Sequence, residues 1–167
     1  MSASPFLIHV GELRRAPGEP RRHRVEADVD WAAGSSRVSP SRVRADVDLI
    51  ATSGGVVVTG RVHAGLVHQC VRCLRDYHDD VTVPFSHLVE DADTSGDDGY
   101  ELAGEFVDLE PILRDEVLLS LPLVPRCGDD CPGLGQAQQN DLNIAAAGRP
   151  DSPFAALQDL FEPGSGD

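Results

Sequence analysis

The sequence predicts an α+β domain, in which an antiparallel β-sheet, either open or curled into a barrel, carries two short helices in the C-terminal half. Most segments before residue 91 alternate apolar and polar residues with the period of two that a half-buried strand requires. Clusters of Gly, Pro and Ser separate these segments, whereas apolar residues at helical spacing follow Asp108. With 167 residues, 41% of them hydrophobic, the chain is expected to form a single domain over 1–167.

Six strands are expected from these alternating segments. They are predicted at 6–10, 25–31, 43–50, 56–68, 75–90 and 100–107. Ser53-Gly54-Gly55 predicts a tight hairpin between the third and fourth strands. A turn is expected at 34–41, and the Pro/Gly-rich or polar composition predicts flexible loops at 11–24, 91–99 and 136–151.

Two helices follow from helical spacing and capping residues. Asp108 is placed to cap a helix whose apolar face is formed by Leu109, Ile112, Leu113, Val117 and Leu121 and which Pro122 ends. SPFAALQDLF (152–161) predicts a second, amphipathic helix, with Ser152 as its cap and Pro153 at the first helical position. The pattern favours docking of its apolar stripe on the protein's own core over binding to a partner.

The charges are divided unequally along the chain. Residues 1–75 carry 11 Arg and 7 Asp and Glu, a net charge of +4, whereas residues 76–167 carry 3 Arg and 21 Asp and Glu, a net charge of −18. The acidic part should repel nucleic acid and attract basic proteins. The arginine-rich stretch LRRAPGEPRRHR (13–24) could contact phosphate, although a solvated loop is the simpler interpretation.

No apolar run approaches the roughly 20 residues that span a bilayer, and MSASPFLIHV lacks the features of a secretory signal. A cytoplasmic protein is therefore expected. Disulfides are rare in that compartment, so the four cysteines point to metal binding or catalysis.

The cysteines form two close pairs, Cys70-x2-Cys73 after a predicted strand and Cys127-x3-Cys131 in a Pro/Gly-rich loop. Two chelating pairs of thiolates suit a tetrahedral structural zinc, so we predict that all four are zinc ligands. His68 and His78 flank the first pair and could replace a ligand, but surface or strand roles are the simpler interpretation.

Three other interpretations of the cysteines remain open. They could be buried free thiols, a thioredoxin-like redox pair or ligands of an iron–sulfur cluster. A redox pair belongs at a helix N-terminus, whereas Cys70 follows a long strand. The sequence contains no Gly-rich phosphate loop, no HExxH and no GxSxG motif. With the thiols assigned to a closed metal site, no nucleophile stands out, and the chain is predicted to be non-enzymatic.

Several of these segments, in this order, resemble one known family. CVRCL (70–74), DLEPILRDEVLLSLPLVP (108–125), Cys127 and Cys131 with Gly133-Leu134, and PFAALQDL (153–160) resemble the YceD family, the large ribosomal RNA subunit accumulation proteins. The resemblance covers roughly residues 45–161.

The resemblance implies a bacterial ribosome-biogenesis factor that supports accumulation or processing of 23S rRNA. It implies partners among the large-subunit precursor, its rRNA or a basic ribosomal or assembly protein, with no membrane and no evident small-molecule substrate. The alternative function is a metal-stabilised interaction adaptor unrelated to ribosomes. Many relatives carry a further cysteine pair where this chain has Gly135 and Gln138. The four remaining cysteines are enough for one zinc, but if the absent pair is half of the family's metal site, this chain would bind metal weakly or not at all.

Overall fold

The computed structural model describes residues 4–91 and 99–134. Its elements are β1 (Leu7–His9), α1 (Gly11–Arg15), β2 (Arg21–Asp28), β3 (Ala32–Ala33), β4 (Ser36–Thr52), β5 (Gly55–Gln69), β6 (Asp76–Glu90), β7 (Tyr100–Glu101), β8 (Phe106–Asp108) and α2 (Leu109–Leu119). The predicted helix at 152–161, the predicted loop at 136–151 and residues 92–98 of the predicted loop at 91–99 lie outside the described residues. No described helix is long and apolar enough to cross a membrane.

The main sheet has six strands in the order β2-β4-β5-β6-β7, with β3 paired to β4. All its pairs are antiparallel except β6–β7, which is parallel and only two residues long. The α+β prediction is therefore confirmed. The barrel alternative is wrong, because β2 and β7 do not pair within the described part of the chain and the sheet stays open.

The centre of the sheet is the long hairpin of β4 and β5. The predicted turn at Ser53–Gly55 is confirmed, since Thr52 lies opposite Gly55 in the register. β5 runs without interruption through Gly60 and Gly65. Gly60 allows a close approach between strands, because a Cβ there would lie 2.2 Å from the carbonyl oxygen of Asp46.

Two predicted non-strand segments are corrected by the structure. The turn expected at 34–41 is largely strand, because β4 begins at Ser36 and absorbs Pro40 in an irregularity between Val38 and Val43. The loop expected at 11–24 contains α1 and the first half of β2. Residues 21–24 lack the apolar alternation that predicts a strand. They nevertheless belong to β2, in which Arg22 and Arg24 lie opposite Asp48 and Asp46 of β4. This pairing is visible only in the tertiary structure.

The inner face of the sheet carries the core, which is covered by α1, α2 and the small β1–β8 sheet. The fully buried residues there include Val47, Leu49, Val58, Val62, Leu109, Ile112, Leu113 and Val117. The first four alternate along β4 and β5, and the last four recur at helical spacing in α2, as the sequence predicted. Packing one apolar helix face on one sheet face accounts for the two-layer arrangement.

The outer face of the sheet carries no described helix and is strongly polar. Arginines of β2 lie against aspartates of β4, with Nε of Arg22 at 3.0 Å from Asp48 Oδ1 and Nε of Arg24 at 2.8 Å from Asp46 Oδ1. Arg42 makes a similar contact with Asp28 at 3.1 Å. These exposed pairs fix the register of neighbouring strands more than they add stability, since each such pair contributes only about 0.2–1 kcal/mol.

The start of α2 provides a test of the predicted cap. Asp108 Oδ1 accepts a hydrogen bond of 3.0 Å from the backbone N–H of Glu110, which satisfies one free donor of the first turn. We expect Asp108→Ala to lower the free energy of unfolding by about 1 kcal/mol in urea denaturation. Asp108→Asn should retain nearly all of the stability because its amide oxygen can still accept this bond. Equal losses in the two variants would contradict the capping role.

Candidate metal centre

The structure brings the four cysteines together, although 53 residues separate the two pairs in the chain. Cys70 and Cys73 lie in the turn that follows β5, and Cys127 and Cys131 lie in the loop that follows α2. All four Sγ atoms lie within 4.8 Å of one another. Two separations between the pairs are 3.6 Å, from Cys70 to Cys131, and 3.7 Å, from Cys73 to Cys127.

The turn after β5 holds the first pair in position. The N–H of Leu74 donates to the carbonyl oxygen of Cys70, and the N–H of Cys70 donates to the carbonyl oxygen of Arg75, both at 2.9 Å. These bonds close the backbone around the two thiols. Leu74 has a φ of 60°, a left-handed conformation that few non-glycine residues adopt. The turn that brings the thiols of Cys70 and Cys73 into the cluster therefore contains one residue in a strained backbone conformation.

The second loop is joined to the first by the backbone. The N–H of Val71 donates to the carbonyl oxygen of Pro125 at 3.0 Å, two residues before Cys127. Gly128 follows with a φ of 151°, which favours glycine, and its carbonyl oxygen accepts from the N–H of Cys131 at 3.3 Å. The end of β5 and the loop after α2 therefore meet at the four sulfur atoms.

The donor set fits a tetrahedral metal ion. Four thiolates at about 2.3 Å from a central zinc place their sulfur atoms about 3.8 Å apart. The separations of 3.6 and 3.7 Å, with all others within 4.8 Å, match that spacing closely. A disulfide requires about 2.05 Å between sulfur atoms, and all four thiols are free in the structure. The four cysteines could therefore hold one soft or borderline metal ion.

The electrostatics of the cluster favour a cation. The backbone N–H groups of Cys73 and Cys127 face the sulfur of Cys70 and lower its pKa to about 5. The backbone N–H and the guanidinium of Arg75 lower the pKa of Cys73. The hydrogen bond of Cys127 to the sulfur of Cys131, together with lost hydration, raises the pKa of Cys127 to about 12. Hydrogen-bond donors thus stabilise the thiolates of Cys70 and Cys73, whereas Cys127 stays protonated. A metal ion would be needed to hold all four cysteines as thiolates.

The flanking histidines lie outside this cluster. His68 is fully buried, and its Nδ1 lies 2.6 Å from Ser36 Oγ on the neighbouring strand. Its ring packs against Tyr77 with a centroid distance of 5.1 Å. His78 is exposed on β6. The metal-compatible group among the described residues consists of the cysteines alone, so neither histidine replaces a ligand in it.

Some contributors to the site were missed by sequence reasoning. The charge of Arg75 and the backbone donors of Cys73 and Cys127 act on sulfur atoms through the fold of the two turns. The spacing of the cysteines in the sequence does not indicate these contacts. An arginine two residues after a CxxC pair could nevertheless have been proposed as a residue that stabilises a thiolate. Gly135 and Gln138, the positions of the additional family cysteines, lie outside the described residues.

The segment that contains this cluster is similar to a known protein family. The model of the family described as "Large ribosomal RNA subunit accumulation protein YceD" matches residues 58–161, which include both cysteine pairs and α2. The chain belongs to the YceD family. The resemblance noted in the sequence is therefore confirmed, and the match begins within β5, leaving β1 to β4 outside it.

Relatives occur in mycobacteria. An uncharacterized protein of Mycobacterium tuberculosis (strain H37Rv) is 31% identical over 141 residues, which cover 79% of this chain and 68% of the relative. An uncharacterized protein of Mycobacterium leprae is 28% identical in an alignment of 181 positions, gaps included, that covers 96% of this chain and 79% of the relative. No solved structure matches the chain at a significant level. For this YceD protein the family description and its own geometry are thus the guides to function.

Proposed function

We propose that this protein is a non-enzymatic ribosome-biogenesis factor that supports the accumulation of 23S rRNA and the assembly of the large ribosomal subunit. Membership of the YceD family is the observation that carries this proposal. A structural zinc held by Cys70, Cys73, Cys127 and Cys131 is the second part of it, supported by the spacing of the four sulfur atoms.

The proposed zinc would act as a crosslink between distant parts of the chain. It would join the end of β5 to the loop after α2, and so hold the helix on the sheet without a disulfide. Four thiolates fill a tetrahedral site and leave no position for water or substrate, which supports a structural role over a catalytic one. The cysteines absent at 135 and 138 are not required to complete such a set.

The proposed partners follow from the distribution of charge. The acidic part of the chain fits a basic ribosomal or assembly protein, since carboxylates repel phosphate. The outer face of the sheet is the better candidate for contact with rRNA. Its arginines are mostly paired with carboxylates, but Arg61 in β5 forms no ion pair with any described residue. Phosphate would have to displace a carboxylate at Arg22 or Arg24 and could bind Arg61 directly.

Depletion of the protein in its host tests the ribosomal role. We expect the ratio of 23S to 16S rRNA to fall and 50S particles to decrease in sucrose gradients, with recovery when the wild-type chain is supplied. Cys73→Ser should fail to restore the ratio, whereas the exposed neighbour variant Gln69→Ser should restore it. An unchanged ratio after depletion would refute the proposal.

The alternative, a metal-stabilised adaptor unrelated to ribosomes, predicts that the protein does not sediment with precursors of the large subunit. If it does sediment with them, neutralising Asp93, Asp97 and Asp98 together with Asp129 and Asp130 should weaken the association, because it removes charge offered to a basic partner. Asp91 is left intact because it pairs with Arg14 at 2.8 Å. Association that is unaffected by this change would contradict the acidic contact and leave the outer face as the binding surface.

A further inference from the structure

Five exposed apolar side chains belong to the segments that carry or lead to the four cysteines. We call them the apolar shelf: Val71, Leu74, Leu119, Leu123 and Val124. Leu119 is 84% exposed, Leu123 is 100% exposed and Val124 is 56% exposed. Single exposed apolar residues are common, but five large ones in segments that meet at one junction make a candidate docking surface.

The members of the apolar shelf come from three segments that the fold brings together. Val71 and Leu74 belong to the turn after β5, and Leu119 ends α2. Leu123 and Val124 precede Pro125, whose carbonyl oxygen accepts the hydrogen bond from Val71 at 3.0 Å. The shelf thus lies along the junction at which the two cysteine loops meet.

Part of the core near the end of α2 is only half covered. Leu118 and Leu121 are partly buried, pack against the core cluster and lie close to Leu119 and Leu123 in the chain. An amphipathic helix that covered the shelf could extend over these two side chains and bury them more completely.

We propose that residues 152–161 of this chain pack against the apolar shelf through Phe154, Leu157 and Leu160. These residues recur three apart, the spacing at which a helix presents one apolar face. The inference does not depend on the ribosomal role.

The position of this segment in the chain supports an intramolecular contact. The last described residue, Leu134, lies three residues after Cys131, and 18 residues then lead to Pro153. At up to about 3.3 Å per residue this connection can reach any part of the shelf. A tethered segment has an effective concentration in the millimolar range, so even a weak apolar contact is well populated.

Charge also favours this segment over a basic peptide. The turn at 69–75 carries Arg72 and Arg75 and no carboxylate. Residues 151–162 carry Asp151, Asp159 and Glu162 and no cation. An acidic helix can therefore approach this edge of the shelf with favourable electrostatics. The family match ends at residue 161, so the same matched unit contains the shelf and the proposed covering segment.

Photocrosslinking of the purified full-length protein tests this proposal. A benzophenone amino acid is placed at position 123, where the fully exposed side chain tolerates replacement, and crosslinked peptides are identified by mass spectrometry. We expect crosslinks within one chain to residues 152–161. Leu157→Asp should reduce their yield about tenfold, the loss expected when one leucine no longer buries its side chain.

Two matched controls distinguish docking from random contact. Ala146→Asp adds the same charge to the same part of the chain outside the apolar stripe and should leave the yield unchanged. The same benzophenone at Arg61, on the opposite face of the sheet, should give no crosslink to 152–161. Crosslinks from position 123 to a second copy, or none to 152–161, would overturn the proposal, as would a yield that Leu157→Asp does not change. The 23S rRNA ratio is not part of this readout, so the two proposals can fail separately.

Discussion

Cys73→Ser is expected to abolish metal binding and to lower the free energy of unfolding by about 3 kcal/mol, a part of the roughly 10 kcal/mol that structural zinc contributes in small domains. The reason is that the bound metal would join two segments separated by 53 residues. For a domain of this size the loss corresponds to a fall in Tm of about 10 °C. Metal analysis of protein purified without chelator should give about one zinc per wild-type chain and none in the variant.

Gln69→Ser is the matched control for this measurement. It introduces the same side chain at the exposed last residue of β5, next to Cys70, and leaves all four thiols in place. Zinc content and Tm should therefore remain near those of the wild type. Wild-type protein without metal, or Cys73→Ser with undiminished metal, would contradict the zinc assignment.

Thiol titration separates the metal site from the redox alternative. Thiols bound to zinc react slowly, so the four cysteines should become reactive only after a chelator is added. A thioredoxin-like pair would instead show a reducible disulfide between Cys70 and Cys73. In the structure the sulfur atom of Cys70 lies 3.6 Å from that of Cys131, across the two loops, and all four sulfur atoms lie together, an arrangement that favours the metal site.

Leu113→Ala is expected to lower the free energy of unfolding by about 3 kcal/mol, because it removes a fully buried side chain from the face of α2 that packs on the sheet. The lost contacts and the remaining cavity both contribute to this cost. Urea denaturation followed by circular dichroism would measure it, with the slope of the transition showing whether unfolding remains cooperative.

Arg114→Ala is the matched control on the same helix. Arg114 is exposed and belongs to neither the core nor the apolar shelf, so its truncation should alter stability by less than about 0.5 kcal/mol. Because both variants truncate a long side chain to alanine within α2, the difference between them reports the effect of burial. Similar losses at the two positions would show that the face of α2 that carries Leu113 does not pack on the sheet.

The long alternating segments of β4, β5 and β6 and the capped helix at Leu109–Leu119 could be predicted from the sequence because each depends on a local pattern. The early part of β2 could not be predicted. Residues 21–24 carry three arginines and a histidine, and such a run resembles a loop until aspartates on the neighbouring strand lie opposite it. Whether the sheet closes depends on contacts between its edge strands, which no local pattern encodes.

The sequence by itself determined the α+β class, the capped helix and the choice of Cys70, Cys73, Cys127 and Cys131 as a candidate ligand set, since residue type and short-range spacing decide all three. Only the tertiary structure decided that the two pairs meet, with Cys70 beside Cys131 and Cys73 beside Cys127. The physical reason is that the loop after α2 must cross the end of β5, and this crossing is set by the packing of the helix on the sheet.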